Sequence, residues 1–201
     1  MCCAPCSIYP LEILQGEGAR VFGFFYNPNI HPYQEFRRRR QAVEQLAESL
    51  GLEMIYRDEY DVVIFLRQVV FRESQRCPIC YDLRLDAAAQ LAKKSRMDGF
   101  TSTLLYSKHQ NHELICQLGE EIGRRRGIPF ICRDFRQGWE EGIEKSKEMN
   151  LYRQEYCGCI YSEEERYLGV VVKNRMAHSA KGRAHYGGGN STLCGERSEE
   201  R

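Results

Sequence analysis

The 201-residue chain lacks any apolar run approaching the roughly eighteen residues that a bilayer-spanning helix needs. Its first residues offer neither a basic stretch nor an apolar h-region, so neither a membrane nor a secreted location is expected. Walker A and GxGxxG sequences are missing, which removes the usual nucleotide fingerprints, and there is no internal repeat. Net charge is nearly absent as well, with 29 Lys and Arg against 28 Asp and Glu. Any nucleic-acid surface must therefore come from local clusters. Arg37 to Arg40 and Arg124 to Arg126 read either as solvated helix faces or, beside an aromatic such as Tyr33, as a patch suited to a phosphate backbone. With 42% hydrophobic and 28% charged residues, the remainder is an ordinary globular composition, long enough for one domain around one core.

What is present in excess is cysteine. Ten in 201 residues is fewer than a secreted disulfide scaffold carries and more than an ordinary cytosolic core. Six form tight pairs: Cys2-Cys3, Cys77-Pro-Ile-Cys80 and Cys157-Gly-Cys159. In an intracellular chain such grouping points to metal, iron-sulfur or redox chemistry ahead of structural bridges. Pro78 suits the first turn of a helix, where positions i and i+3 share a face and the exposed amides favour thiolates, so Cys77 and Cys80 can grip one metal centre. Cys157 and Cys159 flank a glycine; a bridge between them needs a local turn and is easily reduced, the profile of a redox-active pair, and two more metal thiolates are the competing reading. Adjacent Cys2 and Cys3 suit one polynuclear cluster better than a single small ion. Cys6 is ambiguous, Cys116 and Cys132 read as packed core thiols, and Cys194 lies in a polar tail.

The hydrophobic pattern alternates. Val21 to Tyr26 reads as a buried strand closed by the Asn27-Pro-Asn29 turn, and Glu35 to Leu50 as an amphipathic helix. Leu52 to Tyr56 is a strand; Asp61 to Arg72 is apolar enough for helix or strand, which periodicity does not decide, and is read as a helix; Cys80 to Arg96 is another helix. Strands over Gly99 to Leu105 and Pro129 to Arg133, a helix from Leu114 to Gly127 and one from Gly138 to Met149 complete the rhythm. This predicts a single α/β domain with a mostly parallel sheet and helices on both faces. Sites in such sheets gather after the strands, which singles out Asn27 to His31, Ser107 to His109 and Asp134 to Arg136. Asp134 reads as an acid or metal ligand, or else as an ion-pair partner of Arg133 or Arg136. His31 reads either as a substrate contact and proton donor or as a turn-stabilising histidine. From about Lys173 the chain is almost devoid of apolar residues, and a disordered tail over 173–201 is expected.

Taken in order, Cys2-Cys-Ala-Pro-Cys6, Phe25-Tyr-Asn-Pro-Asn-Ile-His-Pro-Tyr33, Arg76-Cys-Pro-Ile-Cys-Tyr81 with Leu83-Arg-Leu85, Thr101 to Ser107, Asp134-Phe-Arg136 and Tyr152 to Ile160 closely resemble the QueH type of epoxyqueuosine reductase. The resemblance covers about residues 1–162, within an enzyme domain of about 1–165. It implies a Rossmann-like fold and a cobalamin-independent, cytoplasmic oxidoreductase. Its reaction removes the epoxide oxygen of epoxyqueuosine at the tRNA wobble position, giving queuosine and water with two electrons and two protons. It implies a 4Fe-4S cluster, assigned to Cys2, Cys3, Cys77 and Cys80, with Cys157 and Cys159 as a redox-active dithiol. The competing account of that last pair is an adjacent mononuclear iron or zinc held by Cys157, Cys159 and Asp134. The partner implied is tRNA bearing epoxyqueuosine, with an unidentified electron donor. Two departures accompany it: the apolar strand that normally precedes the first cysteine pair is not present before Cys2, and the tail after about Gly169 does not match. A zinc-binding RNA module and a thiol-disulfide oxidoreductase are the alternatives from other classes.

Overall fold

A computed structural model of the chain describes residues 1–169; the tail expected over 173–201 lies outside the described residues. The helices are α1 (Ile8–Gly16), α2 (Tyr33–Leu50), α3 (Val62–Val69), α4 (Arg76–Lys94), α5 (His112–Arg126), α6 (Trp139–Glu148) and α7 (Ile160–Leu168), and the strands are β1 (Gly23–Phe25) and β2 (Met54–Tyr56). Short 3-10 turns cover Glu73–Gln75, Thr103–Tyr106 and Arg136–Gly138.

The first half is a βαβ unit. β1 and β2 pair in parallel, Gly23 opposite Met54 and Phe25 opposite Tyr56, with α2 as the crossover. Phe36, Val43, Leu46 and Ala47 recur at helical spacing and bury one face of α2 around Phe25. Fully burying side chains such as Val43 and Leu46 contributes about 1.5–3 kcal/mol each. Gly51 ends the helix in the left-handed conformation, φ +61°. On the side of β1 turned away from β2, Met1 donates its nitrogen to the Phe24 carbonyl at 2.6 Å.

The second half is helical where further strands were expected. Gly99 to Leu105 and Pro129 to Arg133 do not form strands; only one parallel bridge, Phe100 to Phe130, joins them. Pro129 brings no amide proton to a ladder. Ser102 accepts from the Leu104 amide at 3.2 Å and turns the chain into a 3-10 helix. The Rossmann-like sheet therefore contracts to two strands and a bridge, while the single α/β domain stands. α5 runs from an Asn111 side-chain cap to a left-handed Gly127, as the spacing of Leu114, Leu118 and Ile122 predicts. α1 and α7, short and outside the periodic segments, were not anticipated. Among the described residues no helix is long and apolar enough to cross a membrane.

Three apolar clusters result. One joins α1, α4 and α5 around Leu85, Leu105 and Ile115 and includes Cys3 and Cys6. The β1-α2 cluster includes Ala4. The third packs Phe65 and Val69 of α3 against Cys80 and Cys159. The grouped cysteines lie where these clusters meet.

Candidate active site

Residues 2 to 7 turn tightly before α1. The Ser7 amide reaches the Ala4 carbonyl at 2.9 Å, its hydroxyl donates to the Cys3 carbonyl at 2.8 Å, and Ala4 and Ser7 are fully buried. The turn folds Cys6 back beside the first pair, so the sulfurs of Cys2, Cys3 and Cys6 lie within 4.8 Å of one another. The Gln154 side-chain amide donates to Cys3 at 2.9 Å and to Cys6 at 3.4 Å. Hydrogen bonding from Cys3 and Cys6 holds the Cys2 thiol well below its ordinary range against the opposing effect of burial. Burial pushes Cys3 up, and hydrogen bonding to Cys2 and Cys3 pushes Cys6 up.

The second pair opens α4 as expected. Cys77 is exposed and Cys80 buried. One turn beyond Cys80, on the same face, stands Arg84, only 8% exposed. Burial disfavours its charge, yet the charges of Cys80 and Cys2 outweigh that and raise its pKa. Among the described residues no carboxylate pairs with it. A buried guanidinium without a carboxylate partner is costly, and the sulfurs of Cys80, Cys2 and Cys157 are the groups that offset it. Burial in turn raises the Cys80 thiol to about 12, with Arg84 opposing.

The third pair is held by the Asn-Pro-Asn-Ile-His-Pro turn and by α2. The His31 amide donates to the Gly158 carbonyl at 2.8 Å, and Tyr156 donates its hydroxyl to the His31 carbonyl at 2.5 Å. Arg39, 1% exposed, donates to the carbonyls of Cys157 at 2.7 Å and Tyr156 at 2.9 Å while its Nε pairs with Glu35 at 2.6 Å. Tyr152 completes the Glu35 carboxylate at 2.5 Å. Gly158 has φ +149°, and a Cβ there would lie 3.2 Å from Ile30 and 3.3 Å from Arg39. The loop thus turns Cys159 toward Cys80 and opens Cys157 to a cavity, where Gln110 donates to its sulfur at 3.3 Å. Burial, followed by the charge of Cys159, raises the Cys157 thiol to about 11. Arg76 at the start of α4 reaches Glu165 on α7 at 2.6 Å, which draws the second and third pairs together.

That cavity holds about 540 Å³, within the range of small-molecule sites. Cys2, Cys6, Cys157 and Arg84 line it together with Tyr106 and Trp139. The rings of Tyr106 and Trp139 stack at 5.3 Å and 29°, and His109 meets Trp139 edge-on at 5.7 Å. Lys108 stands 5.8 Å from the centre of the indole, and the exposed Arg153 and Arg166 contribute further positive charge to the cavity lining.

Several sequence-level expectations change here. Arg39 is a buried clamp, and Arg40 is paired with Glu44 and Asp58, so the Arg37 to Arg40 run is largely structural. Arg125 and Arg126 are likewise spent on Asp86. His31 is buried at 2% exposure against Tyr60 and Phe65, and burial lowers its pKa. Its backbone holds the Gly158 loop, the turn-stabilising alternative. Cys116 and Cys132 are not packed core thiols: they are joined in a disulfide, and Cys132 is exposed because the expected strand around it does not form. Asp134 pairs with Arg136 at 2.6 Å, approaches His112 and lines no part of the cavity. Among the described residues the one compact group of three thiols is Cys2, Cys3 and Cys6; Cys157, Cys159 and Asp134 do not form a group of that kind. Sequence reading left Cys6 open and gave no role to Arg84, Gln154 or the Tyr106-Trp139 wall; the Cys80-to-Arg84 spacing was the available signal for Arg84.

Buried thiols gathered around a guanidinium that no carboxylate pairs, in an α/β domain and beside an aromatic-walled cavity, make up a cysteine site of the kind that could bind a metal. The Epoxyqueuosine reductase QueH family model matches residues 1–165, and the chain belongs to that family. It is 36% identical over 166 residues to the epoxyqueuosine reductase QueH of Dehalococcoides mccartyi (strain ATCC BAA-2266 / KCTC 15142 / 195), covering 83% of this chain and 91% of the relative. With the QueH of Thermotoga maritima (strain ATCC 43589 / DSM 3109 / JCM 10099 / NBRC 100826 / MSB8) the identity is 35%, over 83% of this chain and 89% of the relative. With that of Streptococcus pyogenes serotype M1 it is 32%, over 88% and 74%.

Proposed function

We propose that the chain is an epoxyqueuosine reductase acting on tRNA in the cytoplasm, and that its chemistry takes place on the Cys2, Cys6, Cys157 and Arg84 side of the cavity. The reaction takes the epoxide, two electrons and two protons to queuosine and water. The observation that carries the reading is Arg84, a buried cation whose surroundings among the described residues are thiols. Such a floor fits a sulfur-bound cofactor, and we assign a 4Fe-4S cluster to Cys2, Cys3, Cys77 and Cys80. Bound there, the cluster supplies the single electrons that a two-electron deoxygenation requires.

The chain's own residues supply the rest. Arg84 puts positive charge where the departing oxygen becomes negative, in a site that already excludes most water. Tyr106 and Trp139 offer aromatic faces to an unstacked base, and Arg153, Arg166 and Lys108 attract the phosphates around it. Cys157 faces the cavity as a protonated thiol, and with Cys159 it forms the dithiol that can donate hydrogen and be re-reduced. The contact of Cys159 with Cys80 favours a second reading of that pair, as ligands of an iron or zinc ion beside the cluster. Asp134, off the cavity and bound to Arg136, is assigned no part in this step.

Anaerobic incubation of the reconstituted protein with tRNA bearing epoxyqueuosine, read by nucleoside mass spectrometry, tests the assignment. Loss of one oxygen mass supports it. An unchanged nucleoside from brown, iron-loaded protein supplied with a low-potential reductant rejects it.

A further inference from the structure

A second sulfur-bearing cluster lies outside the cavity, on the outer face of α5. His112 and Cys116 are one helical turn apart, at i and i+4, and therefore on one face. Cys132 reaches them from the segment after the Phe100-Phe130 bridge. His112 Nδ1, Cys116 Sγ and Cys132 Sγ lie within 4.8 Å of one another, with Nδ1 3.8 Å from Cys116 Sγ. The scaffold beneath is firm: Gly119 of α5 takes the Phe130 ring directly against its backbone, and a Cβ at Gly123 would meet the Ile128 carbonyl at 2.7 Å. The other imidazole nitrogen, Nε2, is buried without a hydrogen-bond partner. Asp134 Oδ1 stands 4.0 Å from it while also accepting from the Arg136 amide and guanidinium. A metal-ligating histidine donates its second N–H to a carboxylate on that side of the ring.

We propose that the reduced Cys116–Cys132 pair, with His112, forms a zinc site separate from the catalytic cavity. Two thiolates and an imidazole are the donor set Zn²⁺ prefers over harder cations, and a fourth position on the exposed Cys132 side is open to water. Asp134, 4.0 Å from Nε2 and not hydrogen-bonded to it in the metal-free form, is the carboxylate placed to accept the Nε2–H once a metal takes Nδ1. The disulfide is the metal-free, oxidised form of the same site. A dithiol reductant breaks the one S–S bond and forms two S–H bonds, becoming a disulfide itself; Zn²⁺ then displaces both thiol protons to solvent. This assigns a role to two cysteines that the cavity does not use, and it does not depend on the reductase reading.

The test uses the full chain, reduced with a phosphine under argon, iron-reconstituted and then exposed to Zn²⁺, with native mass spectrometry and separate iron and zinc analysis. Wild type is expected to hold one zinc more than the Cys116→Ser/Cys132→Ser double variant, with equal iron in both. His112→Phe, which keeps both thiols, is expected to weaken that zinc at least tenfold in a chelator competition. Equal zinc in wild type and double variant, or zinc affinity indifferent to His112→Phe, overturns the site. Should the double variant fold poorly, the same comparison made on wild type before and after reduction serves: zinc uptake must require reduction of this disulfide, located by peptide mapping, and uptake by the oxidised protein equally rejects it.

Discussion

The protein carries sulfur in two very different settings. Around the cavity, thiols lie beside Arg84 and the Arg39–Glu35 pair, and hydrogen bonding from Cys3 and Cys6, with a smaller contribution from Arg84, holds the Cys2 thiol down. On the outer face of α5, Cys116 and Cys132 stand half-buried and exposed, beside a histidine and an aspartate that water also reaches. The inner set is fixed from many directions: a turn before α1, the first turn of α4, and a glycine loop clamped by α2. Two adjoining segments fix the outer one. Residue type alone therefore does not decide what a cysteine does; a buried cation without a carboxylate partner distinguishes the inner setting from the peripheral one.

The sharpest way to break that contrast is to remove the cation. Arg84→Met keeps length and apolar contact but takes the positive charge from among Cys2, Cys80 and Cys157. Removing one partner of a buried charged set costs about 3–5 kcal/mol because the other charges are left uncompensated. Iron incorporation is expected to fall at least tenfold and turnover more than a hundredfold, with Arg84→Lys retaining part of both. An Arg84→Met protein with full iron and normal turnover would show that the inner thiols need no cation.

A smaller effect is expected from Gly158→Ala. The positive φ is unfavourable for any side chain, and a Cβ would press on the Ile30 and Arg39 side chains at 3.2 and 3.3 Å. Strain of about 1–3 kcal/mol should lower the melting temperature by several degrees. Because the loop carries the third pair, turnover should fall further than iron content; parallel loss of both would mean that the loop only stabilises the fold.

The cysteine groups were legible because spacing survives folding: Cys77 and Cys80 open a helix as Pro78 suggested, and the Cys157-Gly-Cys159 turn uses the glycine as expected. The βαβ unit was legible for the same reason, since α2 shows its apolar face in sequence. What was not legible came from long-range contacts. Nothing local says that Cys6 folds back onto Cys2, that Arg39 alone of four consecutive arginines points inward, or that Gln154 reaches Cys3 across 151 positions. The Gly99 and Pro129 segments read as strands on their apolar content, but Pro129 and the Ser102 cap override that pattern. Cys132 looked like a core thiol for the same reason and became exposed when its strand did not form.

His31 offers a milder probe of how the inner region is held. It is buried and neutral, its pKa lowered from 6.5 by burial. Such a group stabilises fully above its unfolded value, and the contribution is lost as pH falls from about 6.5 toward the lower folded value, because the unfolded chain then binds the proton more readily. Denaturant midpoints measured between pH 7.5 and 5 should show a decline in stability that flattens in His31→Phe. An unaltered slope would assign the acid loss to other groups.

The smallest expected effect belongs to the outer region. The side chain and amide of Arg136 hold Asp134 at about 2 against an ordinary 3.8, the guanidinium contact being the larger cause. A carboxylate so depressed adds stability that is present above its unfolded value and lost as pH falls through about 2. With the Asp134 side chain 49% exposed, solvent and salt screen the pair, and Asp134→Asn should cost no more than about 0.2–1 kcal/mol at neutral pH. The loss should shrink further at 1 M salt, where the screening length is about 3 Å. A loss of several kcal/mol that salt leaves untouched would mean that the outer site is organised as tightly as the inner one, and the contrast between the two would have to be redrawn around Asp134.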